Sequence, residues 1–297
     1  MENKTPNFSQ RHPFVFGFML IAAAVALLMG AMAVFSYWSG PAGWGRSQLG
    51  VVHVRGVLTD ARPITRWIET LQHKKSVQGV LVRIDSPGGV VAPSQEIFSA
   101  IQSLAATKPV VVSMGSVAAS GGYYVAVGAQ TLFANPGTIT GSIGVKAQLT
   151  NFQGLLHKLG IEDETVVSGP LKDATSASKP MNEAERAYMQ NMVDDMHEQF
   201  VQAIVQGRDM EEEVVRRLAD GRAYTGQQAK ELGLVDALGS MQDALKFLRQ
   251  EAQVGSDYAL VEGPERERSL VQWLLSTVGI EWPGTGGGQA HWEFWYE

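Results

Sequence analysis

Met114-Gly-Ser-Val-Ala-Ala-Ser120-Gly-Gly-Tyr-Tyr124 decides how the rest of the chain is read. It follows the apolar run Val110-Val111-Val112, so a buried strand feeds a turn of very small residues, and Ser120 falls where a helix should begin. A serine at such a turn is expected to be exposed and to face an electrophile. The N–H groups of Gly121 and Gly122 follow with no side chains to obstruct them, and amides at a helix N-terminus attract developing negative charge. That is half of an acyl-transfer site. The competing reading is a tight strand-to-helix crossing at which small residues let two backbones approach.

Upstream of this stretch, strands and helices alternate. Leu49 to Leu58 reads as a strand, followed by a helix from about Arg62 that carries Ile64, Trp67, Ile68 and Leu71 on one face. Val80 to Ile84 is a short buried strand, broken at its C-terminal end by Asp85-Ser86-Pro87-Gly88-Gly89. Pro93 opens a second helix with Ile97, Ile101 and Leu104 facing inward, and Pro109 ends it. This βαβαβ pattern predicts a mainly parallel sheet with covering helices, an α/β fold whose chemistry sits beyond the C-terminal ends of the strands. Gly88-Gly89 and Ser120 both lie there.

Downstream, turns dominate around Asn135-Pro136-Gly137 and Thr140-Gly141-Ser142-Ile143-Gly144-Val145, and Val166 to Pro180 reads as a polar loop. A long helix over Met181 to Gly207 places Met189, Met192, Val193, Met196, Phe200 and Ile204 along one stripe, a pattern of core packing. Ser240 with Asp243 caps a helix reaching about Gln250. The end, Gly284 to Glu297, is a glycine-rich tether closing on Trp292-Glu293-Phe294-Trp295-Tyr296. That aromatic cluster is either a free end or a segment that docks, in a peptide groove or at a membrane interface.

At 297 residues, with 45% hydrophobic and 18% charged residues, the chain can bury a substantial core. Its net charge of -6 and pI near 5.6 leave no basic cluster for phosphates, which argues against nucleic-acid partners. Zero cysteines exclude a disulfide framework, a thiolate metal site and a cysteine nucleophile. An uncharged apolar run from Phe14 to Trp38 is long enough to span a bilayer, which takes about 20 residues. A cleaved signal peptide, with Ala31-Met32-Ala33 as its cleavage site, is the rival, but its apolar region would normally be only about 7 to 15 residues. Lys4 and Arg11 precede the span and Tyr37 and Trp38 sit at its far edge, so the N-terminus is expected in the cytoplasm and the bulk of the chain outside. The expected organisation is a cytoplasmic head over 1–13, a transmembrane anchor over 14–38, a linker over 39–48, a catalytic domain over 49–265 and an extension over 266–297.

Ser120 needs a base. Of the six histidines, His12 lies in the head, His73 and His197 fall on charged helix surfaces, and His291 is in the tail. His53, on the first strand, and His157, beside Lys158, remain, and neither has a telling context. A lysine can serve instead if burial pulls its pKa from about 10.4 toward the working pH. Lys172 is the best placed, flanked by Gly169, Pro170, Leu171 and Ala174, with Lys146 and Lys179 as rivals. Spacing alone does not choose among them.

Several segments together resemble the signal peptide peptidase A family in its short, single-repeat form: Ile84-Asp85-Ser86-Pro87-Gly88-Gly89, Ala119-Ser120-Gly121-Gly122-Tyr123, Gly141-Ser142-Ile143-Gly144-Val145, Ser168-Gly169 with Lys172-Asp173, and Gly221-Arg222 through Gly233-Leu234-Val235-Asp236. The resemblance covers roughly Leu49 to Leu248. It implies a Clp protease/crotonase-like fold and a membrane-anchored serine endopeptidase with a Ser-Lys dyad and no cofactor or metal. It further implies Ser120 as nucleophile, Lys172 as general base, Ser142 as the hydroxyl holding the lysine amine, and the amides of Gly89 and Gly121 as the oxyanion hole. Apolar peptides such as cleaved signal peptides would be the substrates, at the outer face of the bacterial cytoplasmic membrane, in a homo-oligomer whose active sites are shared between subunits. Three rivals remain: a membrane protease acting on other membrane or misfolded proteins, a crotonase-type acyl-CoA enzyme that needs neither Ser120 nor Lys172, and an inert anchored scaffold.

Overall fold

The computed structural model describes residues 12–39, 47–264 and 295–296, and it divides into two units, 1–46 and 47–297. In the first unit, helix α1 (Pro13–Ser39) starts on a proline, which has no N–H to lose at that position. Its segment Pro13–Met32 has a mean hydropathy of 2.5, and the helix is long and apolar enough to cross a membrane. Most of the expected head and linker, and all of the extension except Trp295 and Tyr296, lie outside the described residues.

The second unit begins with β1 (Gln48–Arg55), α2 (Arg62–His73), β2 (Val77–Ser86), β3 (Gly89–Val90), α3 (Val91–Ala105), β4 (Val110–Ala119) and α4 (Gly121–Ala126). It continues through β5 (Thr131–Ala134), β6 (Ile139–Gly141), α5 (Gln153–Lys158), α6 (Glu183–Arg208) and α7 (Glu212–Leu218). It closes with β7 (Ala223–Thr225), α8 (Gly226–Glu231), β8 (Ala237–Leu238), α9 (Met241–Glu251), β9 (Ala259–Gly263) and the short strand β10 (Trp295–Tyr296). The main sheet runs β7-β6-β4-β2-β1-β9, with β5 on the first half of β4 and β8 beyond β5. Every pairing in it is parallel except β6 with β7.

The valine-rich strands are buried on both faces because side chains alternate. Val52, Val54, Val80, Val82, Ile84, Val112 and Met114 face a layer built from Ile64, Ile68 and Leu71 of α2 and Ile97, Ile101 and Leu104 of α3. Their neighbours Leu49, Val51, Leu81 and Val111 face Ala244 and Leu248 of α9 on the other side. Helix α6 is capped as a box, with the Asn182 side chain accepting from the Glu185 N–H and the Glu185 carboxylate accepting from the Asn182 N–H. Its expected stripe is core at Met189, Phe200 and Ile204, all buried, while Met192 and Met196 are only half-buried. The ring centroid of Phe200 lies 5.0 Å from that of Tyr124, which is itself 5.0 Å from Phe98, so α3, α4 and α6 meet at one aromatic contact.

Several boundaries differ from expectation, with α3 starting at Val91 rather than Pro93 and α6 at Glu183 rather than Met181. β2 is longer than Val80 to Ile84, running from Val77 to Ser86. β1 stops at Arg55 rather than Leu58, because Gly56 turns the chain with a φ of 68° and releases Leu58 to bridge Gly89 alone.

Candidate active site

Ser120 is the residue between β4 and α4. Its N–H donates to the Gly141 carbonyl at 2.8 Å, and its carbonyl accepts from the Tyr124 N–H at 2.8 Å as the helix begins. Between these anchors the backbone sits at φ 53°, ψ -120°, a conformation that costs a non-glycine residue of order 1–3 kcal/mol. The tight crossing is also real, since a Cβ on Gly122 would stand 2.8 Å from the Ser86 carbonyl oxygen. The expectation of an exposed serine is corrected, because Ser120 is fully buried. Its Oγ has no hydrogen-bond partner among the described residues. A buried hydroxyl left unpaired costs free energy, so the surroundings hold it there against its own preference.

The Gly88-Gly89 turn is built from Ser86, whose Oγ donates to the Gly56 carbonyl at 2.6 Å and accepts from the Gly88 N–H at 3.1 Å. Gly88 has φ 110°, which its lack of a Cβ makes tolerable. Leu58 then takes one edge of the short strand. Its N–H donates to the Gly88 carbonyl at 2.9 Å, and its carbonyl accepts from the Val90 N–H at 2.8 Å. Alternation along a strand turns the Gly89 N–H and C=O to the opposite edge. Gly121 lies against that turn: a Cβ there would be 3.2 Å from the Gly89 nitrogen and 2.6 Å from Ser94 Oγ. As the first residue of α4, Gly121 has an N–H with no intrahelical acceptor. The Gly89 nitrogen therefore lies against Gly121, the residue that follows Ser120. Along the same strand, Trp295 pairs antiparallel with Val90 and Tyr296 with Gly89.

Ser142 comes to the site through strand register. Ala119 of β4 is opposite Gly141 of β6, so Ser120 and Ser142 stand at matching positions just past the ends of neighbouring strands. Ser142 has φ 49°, its N–H donates to the Arg222 carbonyl at 2.9 Å, and Gly221 donates to the Ile143 carbonyl at 3.1 Å. The Gly221-Arg222 motif thus holds the Ser142 turn.

Lys172 is not brought to Ser120 Oγ, which has no hydrogen-bond partner among the described residues. It is exposed in the turn closed by its own N–H to the Gly169 carbonyl, at 3.1 Å. The rival Lys179 is occupied, 2.5 Å from the buried Glu185 and 3.7 Å from Asp173. Its hydrogen bond to Glu185 raises the lysine above its ordinary range and lowers the carboxyl. Lys146 is exposed beside a cavity of about 400 Å³ that Gly144, Asp194, His197 and Gly221 also line. His197, expected on a charged surface, is half-buried there with Nε2 unpartnered among the described residues, because α6 packs that face toward Gly144 and Gly221. His53 bonds Glu262 at 2.9 Å and Arg55 at 3.1 Å, and His157 is exposed.

Asp85, Ser86 and Ser94 support the site in ways that no sequence pattern announces. The Asp85 carboxylate accepts from the Ser116 and Val117 N–H groups at 3.1 Å, bracing the irregular register between β2 and β4 just before Ser120. Buried Ser94 donates to the Val90 carbonyl at 2.9 Å behind Gly121. The Gly233-Leu234-Val235-Asp236 motif is a brace. Tyr123 donates to the Leu234 carbonyl at 2.7 Å, and Asp236 accepts from the Leu132 N–H and from Arg208, both at 2.7 Å. Burial pushes the Tyr123 phenol well above its ordinary range, so it stays a donor.

Two family models match the chain, Peptidase family S49 over residues 102–255 and Clp protease over residues 57–140. A protein of Synechocystis sp. provisionally named a protease is 39% identical over 77% of this chain and 83% of its own length. A protein of Enterococcus faecium provisionally named signal peptide peptidase SppA is 38% identical over 73% of this chain and 63% of its own. The chloroplastic serine protease SPPA of Arabidopsis thaliana is 31% identical over 79% of this chain, which spans 37% of that longer protein. The mainly parallel sheet and the match over residues 57–140 make this a Clp protease-like fold.

Proposed function

This chain belongs to peptidase family S49, a serine protease family by its named relatives, and from that membership we propose a membrane-anchored endopeptidase that cuts apolar peptides with a Ser120-Lys172 dyad. The observation that carries the reading is the close approach of Gly89 to Gly121 directly after a buried, strained Ser120. In this mechanism the neutral amine of Lys172 takes the Ser120 Oγ proton as the oxygen attacks a peptide carbonyl. The resulting oxyanion is bound by the N–H groups of Gly89 and Gly121, each worth about 3 kcal/mol of barrier. The ammonium returns its proton to the departing amine, and water then hydrolyses the acyl-serine with the same lysine as base. Ser142, next to Ser120 by register, orients the amine.

Lys172 is exposed and Ser120 Oγ has no hydrogen-bond partner among the described residues, which fits a lysine supplied by a neighbouring subunit. The apolar helix α1 is the anchor, and Lys4 and Arg11 put its N-terminus in the cytoplasm. Cleaved signal peptides are the substrate class the family resemblance supports. The test is turnover of a fluorogenic apolar peptide by the detergent-solubilised chain. Ser120→Ala and Lys172→Ala should each abolish it. Wild-type turnover in both variants would remove the dyad and favour a crotonase-type use of the two amides.

A further inference from the structure

The C-terminal aromatic cluster has its backbone on the strand that carries one of the two site amides. Tyr296 is opposite Gly89 and Trp295 opposite Val90, in an antiparallel pair. The edge matters. Leu58 already uses the Gly88 carbonyl and the Val90 N–H, so what remains to pair with an incoming strand is the N–H and C=O of Gly89. Of two consecutive antiparallel positions, one exchanges both hydrogen bonds and the next exchanges none. With the Val90 N–H spent on Leu58, the exchanging pair is Gly89 with Tyr296. The Tyr296 carbonyl is thereby directed at the Gly89 N–H, the amide that lies against Gly121.

We propose that the free edge of Gly89–Val90 is a docking strand for extended peptides and that its resident ligand is this chain's own C-terminus, seated with the Tyr296 carbonyl on the Gly89 amide. The inference rests on the active-site reading and adds to it an occupant and a register. Main-chain bonds supply the affinity in such strand addition, so the site accepts an extended backbone first and selects among side chains second. A covalently attached tail competes at an effective concentration in the millimolar range when its tether spans the distance. It therefore weakens binding of any second peptide at the same edge, and an added peptide substrate has to displace it.

The experiment uses the full chain in detergent as Ser120→Ala, so that nothing is consumed, beside the same variant ending after Gly288. The probe is a fluorescent peptide with the sequence of residues 289–297, followed by anisotropy. The shortened protein should bind it at least about ten-fold more tightly than the full-length protein, whose own tail holds the edge. Methylating the Tyr296 amide nitrogen of the probe should weaken binding about ten-fold, the size of one backbone hydrogen bond, because the Gly89 carbonyl loses its donor while every side chain is kept. Equal binding by the two proteins, indifference to the methyl group, or partition of the probe into lipid vesicles without binding to protein would each overturn the proposal. Cleavage of a fluorogenic peptide by the shortened protein with Ser120 intact separates the two claims. Cleavage without probe binding sinks only the tail, and probe binding without cleavage sinks only the protease.

Discussion

Replacing Ser120 should stabilise the protein while it silences the site. The wild-type residue carries two burdens: a buried Oγ with no partner among the described residues and a backbone at φ 53°. Ser120→Ala removes the first, and an unsatisfied buried hydroxyl costs about 1–3 kcal/mol. Ser120→Gly also relieves the second, of order 1–3 kcal/mol, and gives back about 0.5–1 kcal/mol in chain entropy. The expected order of stability is Gly above Ala above Ser. In a unit of this size each kcal/mol moves Tm by roughly 2–4 °C, so Ala should melt about 2–12 °C above wild type. Thermal unfolding of the full chain in detergent, followed by near-UV circular dichroism with peptide turnover measured in parallel, reads both effects. If both variants melt at or below wild type, the hydroxyl is satisfied and the turn unstrained, and the account of a site held against local preference is wrong.

Other expectations follow from the same contacts. Gly89→Ala places a Cβ 2.4 Å from the backbone of Leu58, so the strand must shift and its amide leave the site; turnover should fall by at least about 10²-fold. Gly207→Ala sets a Cβ 2.2 Å from the Val127 carbonyl oxygen where α6 crosses the end of α4, and should cost about 1–3 kcal/mol in denaturant unfolding with little change in KM. Arg208→Ala removes a guanidinium only 6% exposed and strips its partner from Asp236, itself about a third exposed; a loss of about 2–4 kcal/mol is expected, measurable as a lowered Tm. The Glu185 carboxyl is held below its ordinary 4.5 by the hydrogen bond from Lys179 and the Asn182 N–H. Its folded-state value is depressed, so its contribution is complete above pH 4.5 and is lost as pH falls through the lowered value. The Tm gap between wild type and Glu185→Gln should therefore close below pH 4.5.

The parallel sheet was legible because Val80-Leu81-Val82 and Val110-Val111-Val112 are short apolar runs bounded by turn and helix signals, the pattern of strands buried on both faces. The caps at Asn182 and Ser240 are local hydrogen bonds between near neighbours, though only Ser240 with Asp243 was read in advance. What sequence could not supply was the environment of individual side chains. A strand-to-helix turn implies an exposed Ser120, yet it is fully buried, and the glycines that follow it pack closely, Gly121 against Gly89 and Ser94 and Gly122 against Ser86. Lys172 is favoured by its flanking residues, but spacing alone does not separate it from Lys179. Glu185, six residues on and across the start of α6, binds Lys179, while Lys172 is exposed. The register of the last aromatic residues against Gly89 depends on a pairing no periodicity announces.

The most direct test of a shared Ser120-Lys172 site is subunit mixing. Ser120→Ala and Lys172→Ala are each co-expressed with themselves and with one another, purified in detergent and assayed on one fluorogenic apolar peptide. The account predicts no turnover from either variant alone and a recovered fraction of wild-type turnover from the mixture, where one subunit's lysine meets another's serine. Full turnover from either variant alone would contradict it.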